Sequence, residues 1–356
     1  MKVLVTGHRG YIGSVLVPML LERGHGVVGY DIDLFEGCDF TDGLVDVPSI
    51  RKDMRDVSID DLTTDDMAGF DAVIHLAALS NDPMGDYRAN LTEEINLDAS
   101  VKLAQLAKKA GVRRYLFASS CSNYGASTEP FLKEGSAFNP VTAYGRSKVA
   151  VEHAVSKLAD GEFSPTYLRG STVYGLSPRL RLDLVVNNLT AWAMTTGQVS
   201  MKSDGTPWRP IVHVEDISLA YIACLEAERT LVHNEAFNIG STNENYQIRE
   251  IAETVRDIVP GSEVSFMEGA SPDARDYRVD CNHIARKLHG FKPQWTMRRG
   301  VEQLYDAYQS LNLTTEDLDG DRLNRIRRMK KLIEAGELTV DLRRTDGIKS
   351  ANTNAA

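Results

Sequence analysis

Short apolar runs alternate with segments of helical periodicity along the first half of the chain. The first run, Val3–Val5, is followed by a helical pattern over Ile12–Leu21 and by a second run, Val27–Tyr30. The alternation continues through the apolar runs Ala72–His75, Tyr115–Ala118 and Thr166–Leu168 and the helical patterns Thr92–Ala110 and Ala143–Leu158. Strands that alternate with helices are typical of right-handed βαβ units. The pattern therefore predicts an α/β fold with a doubly wound parallel sheet.

This alternation ends at Gly175. Helical patterns then dominate, and one apolar run, Ala236–Ile239, reads as a strand that returns to the sheet. We expect four parts: a Rossmann domain at 1–175 with a return strand near 236–240, a smaller, partly discontinuous substrate-binding lobe mainly at 176–311, a helical extension at 312–342 and a disordered tail at 343–356.

The C-terminal segment Leu318–Ala335 carries apolar residues at helical spacing among six arginines and lysines. One interpretation is a basic arm for an anionic ligand or partner. The other, which we favour, is an amphipathic helix that packs on its own fold and leaves a solvated charged face.

A turn with three glycines, Gly7, Gly10 and Gly13, joins the first strand to the first helix. Glycine lets a pyrophosphate approach the backbone, and the helix N-terminus offers free N–H groups and a favourable dipole. The next strand ends on Asp31, whose carboxylate can accept hydrogen bonds from a ribose diol. Strand, turn, helix and acid together predict a dinucleotide-binding site.

Composition and charge narrow the class of protein. The chain has 356 residues, 42% of them hydrophobic and 25% charged, which is typical of a soluble globular protein. Its net charge of −10 argues against general nucleic-acid binding. The four cysteines form no C-x-x-C pair, so we expect a reducing compartment and no metal site. Without a signal peptide or a long apolar run, we expect a cytoplasmic protein with no membrane association.

Polar residues of the predicted site follow the strand Tyr115–Ala118. They form the run Ser119–Gly125, at the strand end where parallel sheets bind ligands. Tyr144 and Lys148 lie four residues apart in the next helix and so share one face. A nearby ammonium favours the phenolate, which lets tyrosine act as a base near neutral pH. A serine hydroxyl can hold the substrate alcohol.

At this point the sequence resembles the extended short-chain dehydrogenase/reductase family, specifically its NAD-dependent sugar-nucleotide epimerases and dehydratases. The resemblance spans about Lys2–Leu304. It rests on Thr6-Gly7-x-x-Gly10-x-x-Gly13, His75-Leu76-Ala77-Ala78, Ser119-Ser120 with Tyr124-Gly125, Tyr144-x-x-x-Lys148, Val173-Tyr174-Gly175 and Arg209-Pro210-x-x-His213-Val214.

The resemblance implies roles for individual residues. Ser120, Tyr144 and Lys148 would be the catalytic residues, and Asn96 would support the helix beside them. The substrate would contact Ser120, Ser122, Asn187, Arg209 and Arg275. The expected cofactor contacts are Gly7, Arg9, Gly10, Tyr11, Ile12, Gly13, Asp31, Asp53, Met54, Leu76, Ala77, Ala78, Asn96, Tyr144 and Lys148. Similar enzymes are usually dimers, which implies a homodimer.

One departure from the family pattern bears on the reaction. The 4,6-dehydratases have an Asp-Glu pair where this chain has Cys121-Ser122, so the dehydration lacks its acid and base. We therefore expect an epimerase of a nucleotide-diphosphate sugar that oxidises one carbon, C4 by preference, and returns the hydride. A ketoreductase or dehydrogenase of a nucleotide-linked sugar is the alternative, and a non-catalytic dinucleotide-binding protein comes third. Cys121 is a further acid/base candidate, although a buried structural cysteine is the simpler interpretation.

Two residues near the glycine turn point to different cofactors. Asp31 would repel the 2′-phosphate of NADP and favours the free ribose diol of NAD, whereas Arg9 resembles the phosphate-binding arginine of some NADPH-dependent reductases. Because Asp31 would stand where the phosphate must go, we expect NAD.

Overall fold

Seven parallel strands form the central sheet of the computed structural model, which describes residues 1–63, 69–80, 88–201, 203–266 and 276–345. The strands are β1 (Lys2–Thr6), β2 (Gly26–Asp31), β3 (Ser49–Arg51), β4 (Ala72–His75), β5 (Arg114–Ser120), β6 (Ser164–Gly170), β7 (Thr172–Tyr174), β8 (Gln198–Met201), β9 (Trp208–His213), β10 (Glu235–Ile239), β11 (Asn245–Gln247) and β12 (Glu263–Phe266). The central sheet has the order β10-β6-β5-β4-β1-β2-β3. The α/β class and the doubly wound parallel sheet are confirmed.

The helices cover both faces of this sheet and build a second lobe. They are α1 (Gly13–Glu22), α2 (Asp60–Thr63), α3 (Ala89–Thr92), α4 (Ala99–Lys109), α5 (Ala143–Ser156), α6 (Val185–Thr196), α7 (Val214–Glu226), α8 (Arg229–Val232), α9 (Ile248–Ile258), α10 (Asn282–Lys287), α11 (Met297–Ser310), α12 (Thr315–Asp319) and α13 (Arg325–Glu334). Short 3₁₀ turns at Met54–Asp56 and Cys121–Tyr124 follow β3 and β5.

The central strand β1 shows why the sheet needs helices on both faces. Val3 and Val5 pack with α1 and α7 on one face, whereas Leu4 packs with α4 and α5 on the other. Successive side chains of a strand point to opposite faces, so a strand of continuous apolar residues is buried from both sides.

The second lobe contains two small sheets, β11-β9-β7 and the parallel pair β12-β8. Helices α6, α9 and α11 share one apolar core in this lobe. The chain returns to the main sheet through β10, where Phe237 lies in register with Leu168 of β6. The strand predicted at Ala236–Ile239 therefore forms the edge of the central sheet next to β6.

The structure differs from two predicted helices. The pattern over Thr92–Ala110 predicts one regular helix, but a π-helical segment, Glu93–Asp98, separates α3 from α4. The pattern over Leu318–Ala335 predicts another, but the chain leaves the helix at Gly320 and starts again after Asn324, whose side chain accepts from the N–H of Arg327. Of the segment 343–356, residues 343–345 are described, and Arg344 pairs with Leu338 in a β-bridge.

Helix α13 packs on its own fold, as the favoured interpretation of the basic segment predicts. Met329 and Leu332 belong to one apolar cluster with Leu79 and Leu91, close to the end of β4. Within the described ranges no helix has the length and apolar content to cross a bilayer.

Candidate active site

A cleft of about 990 Å³ lies at the carboxyl ends of the parallel strands, between the main sheet and the second lobe. Most of the residues predicted from sequence line it: Gly7, Arg9, Gly10, Tyr11, Ile12, Gly13, Asp31, Asp53, Met54, Leu76, Ala77, Ala78, Ser120, Ser122, Tyr144, Lys148 and Arg209. Three others, Asn96, Cys121 and Asn187, are buried beside the cleft but do not line it. Arg275 lies outside the described residues.

The glycine turn leaves its backbone open to a ligand. Gly7 has φ +72°, and a Cβ there would lie 2.8 Å from the backbone nitrogen of Ala77. A Cβ on Gly13 would lie 2.3 Å from the carbonyl oxygen of Gly7. Side chains are thus excluded where the strand meets the helix N-terminus, which is the cradle that a pyrophosphate requires. These residues fit a dinucleotide.

Asp31 stands at the end of β2 in the wall of the cleft. Its carboxylate accepts hydrogen bonds from the backbone N–H groups of Arg9, at 3.0 Å, and Asp33, at 2.8 Å. The Arg9 side chain instead pairs with Asp46, at 2.9 Å, and Asp33, at 3.7 Å. The carboxylates of Asp31 and Asp33 therefore both line this part of the cleft. They would repel a 2′-phosphate, whereas they can accept hydrogen bonds from a ribose diol.

Helix α5 brings Tyr144 and Lys148 to the cleft. The helix begins after Thr142, whose hydroxyl accepts from the N–H of Gly145 at 3.1 Å. The Lys148 ammonium lies 5.6 Å from the centre of the Tyr144 ring and 4.7 Å from that of Phe117. Burial lowers the pKa of Lys148 to about 7, against a smaller opposing effect of Glu152. A cation that is held beside a phenol favours the phenolate.

Behind these residues lies a buried polar network that the sequence analysis missed. Glu152 forms an ion pair with Arg169 of β6, at 2.6 Å, and each side chain is 6% exposed. Glu152 also accepts hydrogen bonds from Ser119 and from Asn123, the latter at 3.1 Å. The sequence contains one indication that Glu152 belongs to this site, because it continues the four-residue spacing of Tyr144 and Lys148 on the same helical face.

The loop after β5 turns neighbouring side chains in different directions. Ser120 faces the cleft and accepts a hydrogen bond from the N–H of Ser122 at 3.1 Å. Cys121 is fully buried in another cluster, and its thiol lies 3.2 Å from the carbonyl oxygen of Arg169. Burial raises the pKa of Cys121 to about 12. The structure thus brings Ser120 and Ser122, but not Cys121, to the cleft.

The two predicted asparagines order loops around the cleft. Asn96, on the π-helical segment, exchanges two hydrogen bonds with the backbone of Leu79, at 2.8 and 3.0 Å. Asn187 accepts from the N–H of Gly175 at 2.9 Å and donates to the Tyr11 hydroxyl at 3.2 Å. The next residue, Asn188, lines the cleft instead.

The cleft wall contains further residues that sequence reasoning did not single out. Arg181 and Asp183 follow β7, whereas Asn324, Arg325, Ile326 and Leu342 come from the C-terminal segment. In the second lobe, Arg209 of β9 is buried and donates to the Trp208 carbonyl at 2.8 Å. The pattern of residues 318–335 predicted a helix but not which of its arginines faces inward.

Comparison with known proteins agrees with this geometry. Residues 3–240 match the model of the NAD dependent epimerase/dehydratase family. The chain therefore belongs to this family, whose members are enzymes. The resemblance seen in the sequence, the enzymatic class and the expectation of NAD as cofactor are confirmed.

The individual relatives named here are each less than 30% identical to this chain. UDP-glucose 4-epimerase of Corynebacterium glutamicum is 28% identical over 327 residues, 87% of this chain and 96% of that protein. The enzyme of the same name from Lactobacillus helveticus is 29% identical and covers 83% of this chain and 92% of its own. The structure of MoeE5 in complex with UDP-glucuronic acid and NAD has a TM-score of 0.75 at 27% identity and covers 87% of this chain and 99% of its own. About one eighth of this chain has no counterpart there.

Proposed function

We propose that this protein is an NAD-dependent epimerase of a nucleotide-diphosphate sugar, which oxidises the sugar at C4 and returns the hydride to the opposite face. One observation carries the proposal: Ser120, Tyr144 and Lys148 line the same cleft as the glycine cradle at Gly7. A substrate alcohol at this point would meet a hydrogen-bonding hydroxyl, a base and a dinucleotide together.

The proposed chemistry assigns a task to each side chain. Ser120 holds the sugar hydroxyl by a hydrogen bond, and Tyr144 takes its proton as the carbon is oxidised. Lys148 favours the Tyr144 phenolate through its charge. NAD supplies the hydride acceptor and, once reduced, the hydride donor. On return, Tyr144 gives the proton back to the new alkoxide, so neither proton nor cofactor is consumed.

The loop after β5 supports epimerisation over dehydration. Elimination of water across C5 and C6 needs an acid and a base beside the sugar, and this chain has Cys121 and Ser122 at the positions concerned. Cys121 is buried away from the cleft. Chemistry at a single carbon needs only the base and the hydride acceptor.

The choice of substrate class rests on the sequence relatives and on two residues of the cleft. Arg209 and Ser122 line it, and the sequence relatives carry the name UDP-glucose 4-epimerase. We propose a UDP-sugar as the first substrate class to test, with Arg209 binding its diphosphate.

The test is a panel of UDP-, dTDP-, GDP- and CDP-hexoses incubated with the enzyme in heavy water and analysed by NMR. We expect one pair of C4 epimers to reach the same equilibrium from either side, with no net change in reduced nicotinamide and no deuterium on carbon. Ser120→Ala, expected to be slow, is the control against a contaminating epimerase.

Two results would overturn the proposal. Stoichiometric oxidation of added NADH or NADPH would select the ketoreductase. Tight binding of NAD without turnover of any sugar nucleotide in the panel would select a non-catalytic binding protein.

A further inference from the structure

The C-terminal segment, residues 320–345, forms part of the wall of the cleft; we call it the C-terminal arm. Its residues Leu338 and Leu342 pack in one cluster with Leu79, near the end of β4, and with Leu34 and Phe35, which follow β2. Ile326 and Leu342 line the cleft itself. The arm therefore lies across the two strand ends that flank the glycine turn.

Arg325, the first residue of α13, is the unusual group on this arm. It lines the cleft, is 3% exposed and has its guanidinium carbon 4.0 Å from the centre of the Phe35 ring. Its Nη2 donates to the carbonyl oxygen of Arg179 at 2.9 Å. Its Nη1 is buried and has no hydrogen-bond partner among the residues that the structure describes. Burial of a cation without an anion costs free energy, and a negatively charged ligand at this position would remove that cost.

The neighbouring arginines already have their anions. Arg181 pairs with Asp183 at 2.6 Å, and Arg179 pairs with Asp39 at 2.7 Å and with Asp33 at 3.4 Å. Burial and the charge of Arg181 lower the pKa of Arg325 to about 9. The carboxylates of this cluster are thus engaged by Arg179 and Arg181, and Arg325 has no carboxylate of its own among the described residues.

The place of this charge identifies the anion. Arg181 donates to Ser80, just past β4, at 2.8 Å, and its charge acts on Tyr11 of the glycine turn. Arg325 lines the same cleft close enough to Arg181 for their charges to interact, so its guanidinium belongs to the side of the cleft that contains the helix N-terminus, where a dinucleotide would place its pyrophosphate. A 2′-phosphate would meet Asp31 and Asp33 instead. Arg209, which we propose binds the diphosphate of the substrate, comes from β9 of the second lobe.

We propose that Arg325 of the C-terminal arm binds the pyrophosphate of the dinucleotide, so that the arm completes the cofactor site. The glycine turn then offers N–H groups from one side and the arm a guanidinium from the other. The cofactor cannot leave without breaking the contact to the arm, which suits a reaction that regenerates its cofactor. The inference rests on the proposed function only for the presence of a dinucleotide.

The test compares the full-length protein with Arg325→Gln by calorimetric titration of the cofactor-free chains. The ligands are NAD, ADP, adenosine, NADP and UDP. We expect the substitution to weaken NAD and ADP by about 10- to 100-fold, the usual loss for a charge-assisted hydrogen bond. Adenosine and UDP should change by less than about twofold. Arg327→Gln, on the exposed side of the same helix where it meets Asp319, is the matched control and should leave every affinity unchanged.

Each other outcome overturns the proposal. Equal losses for adenosine and NAD would mean that Arg325 only holds the arm in place. A loss of affinity confined to NADP would mean that Arg325 binds a 2′-phosphate. A loss confined to UDP would mean that Arg325 binds the substrate. If Arg325→Gln does not fold, Arg325→Lys must show the same preference for losing NAD and ADP over adenosine.

The same titrations separate this inference from the function itself. Intact NAD affinity in Arg325→Gln with normal epimerisation would reject only the role of the arm. If Arg325→Gln selectively loses NAD affinity but the wild-type protein epimerises no sugar nucleotide, the role of the arm is retained and the epimerase function is rejected.

Discussion

The two ends of the cleft are built by different means. At the catalytic end, Tyr144 and Lys148 stand on α5 and are backed by the buried pair of Glu152 and Arg169. At the arm end, the wall comes from the last described residues of the chain, where Arg343 pairs with Asp56 and, at 3.7 Å, with Asp53, and its side chain is 37% exposed. The protein interior therefore fixes the catalytic groups, whereas contacts open to solvent help to hold the arm.

This difference has energetic consequences. Breaking one partner of a buried ion pair leaves an uncompensated charge in the core, which costs several kcal/mol, whereas an exposed pair contributes about 1 kcal/mol or less. Salt also screens the exposed pairs far more strongly. High salt should therefore weaken the exposed pairs of Arg343 while it leaves the buried pair of Glu152 and Arg169 nearly unchanged.

The largest expected effect is on the chemistry at the catalytic end. Tyr144→Phe removes the base, and we expect kcat to fall by about 10²- to 10⁴-fold or more, with NAD and sugar-nucleotide affinities nearly unchanged. Turnover measured by NMR and affinities measured by titration check this. A variant with near-normal kcat would remove Tyr144 from the mechanism.

The second largest effect is expected on stability, at the buried ion pair behind the catalytic residues. Glu152→Gln leaves Arg169 buried without its carboxylate, and we expect the free energy of unfolding to fall by about 3 kcal/mol. Chemical denaturation of the cofactor-free protein measures it. A change below about 1 kcal/mol would show that the pair behaves like a surface pair and would abolish the contrast between the two ends.

The third effect is a pH dependence that arises from Lys148. Because burial lowers the pKa of Lys148 from 10.5 to about 7, the folded chain loses this proton above pH 7 while the unfolded chain keeps it until about pH 10.5. The penalty for burying the lysine is complete below pH 7 and shrinks as pH rises through that window. Lys148→Met removes the penalty, so its stability advantage over wild type should decrease by about 2 to 3 kcal/mol between pH 7 and pH 9.

Denaturation curves of both proteins at the two pH values give this difference directly. An advantage that stays constant, or that grows with pH, would contradict a lowered pKa at Lys148.

The smallest effect is expected at the arm. Arg343→Gln breaks the pairs with Asp56 and Asp53, and we expect a loss of less than about 1 kcal/mol that diminishes further in high salt. The same denaturation assay, repeated at two salt concentrations, measures it. A salt-independent loss of several kcal/mol would show that the arm is fixed as firmly as the catalytic end.

The sequence predicts the catalytic end well because its signals are local. The glycine spacing at Gly7 and the four-residue spacing of Tyr144 and Lys148 each lie within one turn or one helix, where short-range geometry decides the arrangement. Strand alternation likewise predicts the sheet. Each of these patterns can be read without knowing what packs against it.

The arm could not be predicted in this way. The inward position of Arg325 depends on Phe35 and Leu79, which lie more than two hundred residues away in sequence, and hydrophobic periodicity alone does not distinguish it from Arg327. The π-helical segment at Glu93–Asp98 was missed for a related reason. Its backbone hydrogen bonds span one residue more than those of an α-helix, which accompanies the contact between Asn96 and the loop after β4, and a regular helical pattern does not show this difference.

The return strand β10 also affects how the molecule can be made. β10 pairs with β6, yet the whole of β7–β9 and two long helices lie between them in the chain. During synthesis the edge of β6 therefore stays unpaired until Ile239 has emerged from the ribosome. Pairings between such distant segments are slow to form, and an exposed strand edge is a template for aggregation until they do. Fragments that stop near residue 175 should for this reason be insoluble, although they contain the entire glycine turn.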